Sequence, residues 1–267
     1  MALENTPGIL LGMSIQCGRK FLFYEPRKLA VILFCSIFML STVASFMTFP
    51  EDVYLVQKHS VFNQYGVKMG WFWTWVVVAP FIFFTCKAAG VNPLQHFLRL
   101  IVATFLWWFC VGGFHRFQNL TSHCDKSRSL THTQCSESNG IWIPGFDISG
   151  HCFLMVYSML IMSEEAKAFR NWSQVGQGLQ EPARGEHEMT TRVVQFSFVG
   201  MFVLSLIWIK QLFISTLYYH IWYDKVVGAL FAIGCWSLTY RILYPAGFLQ
   251  MPIHRKPLQN KPHGHSH

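Results

Sequence analysis

Charge is what this chain has least of. Asp, Glu, Lys and Arg make up 13% of its 267 residues, about half the ~25% usual in soluble proteins, while 52% of the residues are hydrophobic. That excludes an ordinary soluble domain, and long apolar runs joined by short polar links point to an all-α, polytopic membrane protein. Acid is the scarcer sign, with 13 Asp and Glu against 21 Lys and Arg and a net charge of +8. Because the bases flank apolar runs, the surplus fits membrane orientation and anionic headgroups, not nucleic acid. Internal repeats and matched, Gly/Pro-broken runs are lacking, which argues against a secondary transporter. A cleavable signal peptide is not expected either, since no small-residue cleavage site follows the first apolar run.

Six spans are expected, at about 29–49, 69–86, 97–114, 147–162, 193–219 and 226–244. They divide the chain into an N-terminal segment (1–28), a transmembrane domain (29–245) and a polar, His-rich tail (246–267). The fourth span is short for a bilayer, so its ends should sit in protein or a polar cavity. With six spans both termini lie on one side. That side collects most of the Lys and Arg, including Arg19, Lys20, Arg27, Lys28, Lys167, Arg170 and Arg241, so the termini are expected in the cytosol. The polar loop 115–146 then faces a lumen, where its Cys124 and Cys135 are close enough to pair. Zinc is not expected there, because His123 and His132 lack paired ligand spacing. Cys35, Cys86, Cys110, Cys152 and Cys235 read as packing residues. Trp71, Trp73, Trp75, Trp107 and Trp108 read as interface and packing aromatics, and Glu164-Glu165 as a solvated helix end.

Chemistry concentrates at Gly145-Phe146-Asp147-Ile148-Ser149-Gly150-His151. Asp147 and His151 would share a face if the segment is helical, and Ser149 and Gly150 leave room for an anion to approach the backbone. A helix N-terminus capped by Asp147 or Ser149 explains the same residues without function. His220 and Asp224 repeat the four-residue spacing at the end of the fifth span, at the same membrane face as His151. Two histidines, one of them oriented by a carboxylate, suit phosphoryl transfer: one attacks phosphorus and the other protonates the leaving oxygen. Interfacial histidines at chance spacing are the alternative. Lys210, alone in an apolar run, should face a polar interior.

Phe146 to His151 with Phe153-Leu154 and Glu164-Glu165, and His220 with Lys225-Val226-Val227-Gly228-Ala229-Leu230-Phe231 and Trp236, resemble the fat-storage-inducing transmembrane (FIT) family. That family is similar to membrane lipid phosphate phosphatases, whose motifs Ser149-Gly150-His151 and His220 with Asp224 match. The resemblance implies a lipid-phosphatase-like core, with His220 as nucleophile, His151 as general acid and Asp224 orienting His220. It also implies a multi-pass endoplasmic-reticulum protein with a luminal site that hydrolyses fatty acyl-CoA to acyl 4′-phosphopantetheine and adenosine 3′,5′-bisphosphate. No metal or cofactor is implied. Binding of diacylglycerol and triacylglycerol and support of lipid-droplet formation are implied as well. A non-catalytic neutral-lipid scaffold and a phosphatase of lysophosphatidic or phosphatidic acid are the alternatives. Where the phosphatases carry an Arg six residues before the nucleophile, this chain has Ile214. Asp147, Ser149, Gly150 and Lys225 are the expected substrate contacts. Arg116, Lys126, Arg128 and Lys225 are the candidates for neutralising the phosphoryl group, Lys225 being nearest in sequence.

Overall fold

A computed structural model describes residues 6–47, 65–66, 68–172, 181–219 and 221–253. His220 and the end of the tail lie outside the described residues. The elements in chain order are α1 (Thr6–Leu22), α2 (Pro26–Ala44), α3 (Gly70–Ala89), α4 (Pro93–Thr121), β1 (His123–Cys124), α5 (His132–Glu137), β2 (Trp142–Ile143), α6 (Gly150–Glu165), α7 (Glu181–Tyr218) and α8 (Trp222–Ser237). A π-helical turn, Leu238–Leu243, continues α8. The protein is an all-α polytopic membrane protein. Among the described residues five helices, α2, α3, α4, α7 and α8 with its π-helical turn, are long and apolar enough to cross a membrane. The polar, basic N-terminal segment contains a helix, α1, which packs on α7.

Local signals account for the helix starts. Pro26 opens α2 and Pro93 opens α4, where a proline's missing N–H costs nothing. The Asn92 side chain caps α4 by accepting from the Leu94 amide. Pro80 lies inside α3, as membrane helices allow.

The axis of the bundle is α6. At 16 residues it is about 24 Å long at 1.5 Å per residue, which is short of a bilayer core. It avoids lipid because α2, α3, α4, α7 and α8 all pack against it, burying every side chain from Cys152 to Glu165. The longer helices around it turn outward such residues as Val31, Phe105, Trp108 and Phe196, a surface suited to hydrocarbon. Lys210 lies among these exposed residues of α7 and does not face a polar interior. It stands eight residues before the helix end, about 12 Å, and a long stem lets an ammonium reach toward the interface.

Aromatic rings fill the wedge between α3, α4 and α6. Trp71 is sandwiched between Trp107 (centroids 5.7 Å) and Tyr157 (5.8 Å), both nearly parallel to it. The Trp71 and Trp75 indoles both donate to the Thr104 hydroxyl, so these tryptophans are packing residues, while Trp108 faces outward. The Cys110 and Cys235 sulfurs lie 3.6 Å apart.

At the far end of α6 the structure corrects the reading of Glu164-Glu165. Both are buried, at 1% and 2% exposure. Glu165 receives a bidentate ion pair from Arg99, at 2.8 and 2.6 Å, and the Tyr240 hydroxyl at 2.7 Å. Glu164 accepts from Lys167, Trp236 and Arg241. Arg99 also donates to His96 Nδ1 and to the Gln250 carbonyl, tying the chain beyond α8 to the bundle. Carboxylates stay charged in such a place only when fully paired.

Candidate active site

The loop between α4 and α6 delivers the motif to the opposite end of α6. Cys124 and Cys135 form a disulfide, with Cα atoms 5.8 Å apart. A capping box between Thr131 and Gln134 starts α5, and β1 pairs antiparallel with β2. Gly145 then passes against the end of α4, where any Cβ would collide with the Gln118 carbonyl and the Thr121 hydroxyl. The Phe146 amide donates to the Thr121 hydroxyl at 2.8 Å, and the Phe146 ring stacks on Tyr223 at 5.1 Å.

Ser149 is the N-cap of α6, accepting from the Cys152 amide at 3.3 Å. Its own amide donates to the Asp224 carbonyl at 3.1 Å, which joins the start of α6 to the first turn of α8. The join is tight: a Cβ on Gly228 would lie 2.5 Å from the Ser149 carbonyl oxygen. Only glycine permits that approach.

Two cavities open here. One, of about 700 Å3, is lined by Gln118, Thr121, Asp147, His151, Tyr219 and Asp224 among others. The second, of about 230 Å3, has Trp107, Val111, Phe114 and Leu154 on its apolar walls. Lys68, Asp147 and His151 line both. The larger volume is within the range of small-molecule sites, about 300–1,000 Å3.

Asp147 and His151 therefore share a site, though not through helical spacing. Asp147 precedes the Ser149 cap and lies outside α6, yet both residues line the two cavities. Asp224 lines the larger cavity and Gly150 the smaller. Ser149 and Lys225 line neither. Ser149 is fully buried and spent on capping, while the Lys225 ammonium donates to the Thr216 carbonyl at 2.5 Å. Sequence reasoning overlooked Lys68; its signal is a cation immediately before an aromatic-rich span.

The family model described as fat storage-inducing transmembrane protein matches residues 51–121 and 113–240. The chain belongs to this family. Among its relatives, the acyl-coenzyme A diphosphatase FITM2 of Caenorhabditis elegans is 49% identical over 94% of this chain and 91% of its own length. The protein of that name from Homo sapiens is 31% identical over 92% of this chain and 91% of its own length. The Drosophila melanogaster one is 31% identical over 89% of this chain, which spans 62% of that longer relative. No solved structure matches this FIT chain.

Proposed function

We propose that this protein is an acyl-CoA diphosphatase, cleaving the phosphoanhydride of fatty acyl-CoA to acyl 4′-phosphopantetheine and adenosine 3′,5′-bisphosphate. The observation that carries the proposal is the relative bearing that activity as its name, 49% identical over 94% of this chain. A site with an imidazole, carboxylates and an apolar annex at the end of a membrane bundle suits a substrate with a charged head and an acyl tail.

In this reading His220 attacks phosphorus, a P–N bond forms as the anhydride P–O bond breaks, and His151 protonates the departing phosphate oxygen. His151 then takes a proton from water, which attacks phosphorus and breaks the P–N bond to free His220. Asp224 orients the His220 ring, and Asp147 stands beside His151 in the cavity walls.

The site is further assigned to the lumen of the endoplasmic reticulum, with both termini cytosolic. The Lys and Arg distribution supports this, as does a disulfide on the side of the motif. Binding of diacylglycerol and triacylglycerol and a part in lipid-droplet formation complete the proposal.

Purified protein in detergent, given oleoyl-CoA, should release oleoyl phosphopantetheine and adenosine 3′,5′-bisphosphate in equal amounts by mass spectrometry. No products above a mock preparation would overturn the enzyme reading in favour of a neutral-lipid scaffold. Release of inorganic phosphate from lysophosphatidic acid alone would instead indicate a lipid phosphate phosphatase.

A further inference from the structure

Two cavities meet at three side chains, and one of these is a cation with no role yet. Lys68, Asp147 and His151 belong to both linings. Among the described residues Lys68 is the one lysine or arginine in either lining. We propose that Lys68 is the residue that neutralises the phosphoryl group in this site. The inference deepens the proposed function and rests on it for the substrate.

The chemistry requires such a group. Phosphoryl transfer gathers negative charge on the phosphate oxygens and on the leaving oxygen, and stabilising that charge is the larger part of its catalysis. Here Asp147 and Asp224 already line the larger cavity, so an anionic headgroup enters against like charge unless a cation offsets it. The other candidates are placed elsewhere. Lys225 is buried on the Thr216 carbonyl. Lys126 is bound to the Ser138 carbonyl within the disulfide loop. Arg116 and Arg128 are exposed and line neither cavity.

The fold holds the start of α3, and Lys68 with it, against the start of α6. A Cβ on Gly70 would come 2.6 Å from Leu154 Cδ2 and 3.0 Å from the Trp208 ring, so the start of α3 lies close against α6 and α7. The Thr74 hydroxyl donates to Ser158 on α6 at 3.0 Å. The Trp73 indole donates to the Tyr65 carbonyl at 2.8 Å, anchoring the chain just ahead of Lys68. Lys68 thus stands between a polar cavity fit for the phosphates and an annex walled by Trp107, Val111, Phe114 and Leu154.

The test uses the purified full chain and its Lys68→Gln and Lys68→Arg variants. Lys68 is exposed, so its replacement should leave the melting temperature unchanged. With oleoyl-CoA, Lys68→Gln should lower kcat/KM by about 10²–10³-fold, the loss typical of removing one transition-state charge stabiliser. Lys68→Arg, which keeps the charge, should recover at least tenfold of that. In parallel, orthovanadate should raise the melting temperature of the wild type and not of Lys68→Gln. Turnover by Lys68→Gln within twofold of wild type, or equal vanadate stabilisation of both, would overturn the inference. If the wild type does not hydrolyse oleoyl-CoA at all, the functional reading fails. The vanadate comparison then decides by itself whether Lys68 holds an oxyanion.

Discussion

Replacing Arg99 with Leu should destabilise the protein far more than its distance from the motif suggests. Arg99 and Glu165 have side chains only 2% and 3% exposed. Without the guanidinium, Glu165 keeps the Tyr240 hydroxyl but loses two charge-assisted hydrogen bonds and its counter-ion. Breaking a buried pair by removing one partner costs about 3–5 kcal/mol. At about 2–4 °C per kcal/mol for a domain of roughly this size, the melting temperature should fall by about 6–20 °C. The chain also loses the Arg99 bond to the Gln250 carbonyl, so the segment beyond α8 should become more susceptible to protease. The double variant Arg99→Leu/Glu165→Leu removes both charges, and an apolar replacement of a buried pair is often close to neutral. It should recover at least half the loss, a coupling that a double-mutant cycle reads directly. Scanning fluorimetry in detergent on the four proteins is the assay. A fall below about 2 °C in Arg99→Leu, or a double variant as unstable as the sum of the singles, would refute the pairing energetics. Glu165 lies 14 residues along α6 from His151, about 21 Å, so activity per folded molecule should be unchanged.

Three further substitutions probe the site and its supports. Gly228→Ala forces a methyl to 2.5 Å from the Ser149 carbonyl; by thermal denaturation it should cost about 1–3 kcal/mol, and by shifting α8 from the α6 cap it should also lower kcat. Cys124→Ser opens the loop disulfide and should cost about 2–4 kcal/mol, with reductant reproducing the melting shift in the wild type and having no effect on the variant. Tyr157→Phe deletes a buried hydroxyl that has no hydrogen-bond partner among the described residues; fluorimetry should show a melting temperature equal to or above wild type, because an unpaired buried polar atom is a net cost.

Five of the six expected spans were legible among the described residues because hydropathy reports exclusion from water, and the loop disulfide because two cysteines shared one polar stretch. The shortness of the α6 segment correctly implied a protein surround. Glu164-Glu165 misled because charge in sequence reads as solvent exposure, and the partner that reverses this, Arg99, lies 66 residues away from Glu165. Four-residue spacing paired Asp147 with His151 on a helical face, whereas Asp147 precedes α6 and the two residues meet only as linings of the same cavities. Lys225, the candidate cation nearest His220 in sequence, is bonded to the Thr216 carbonyl and lines neither cavity, because a helix turns successive side chains to different faces. Lys68 sits 83 positions before His151, and no local pattern links them. Only the packing of α3 against α6 does.

Whether the proposed phosphoanhydride hydrolysis takes place in the cavity at the start of α6 turns on His151, which lines that cavity. Oleoyl-CoA turnover by wild type should be set beside His151→Ala, with products weighed by mass spectrometry and folding checked by melting temperature. With His151 as the proposed general acid, its loss should lower kcat by about 10²–10⁴-fold while the protein still folds. Equal turnover by a folded His151→Ala protein would contradict the assignment of this cavity as the site of reaction.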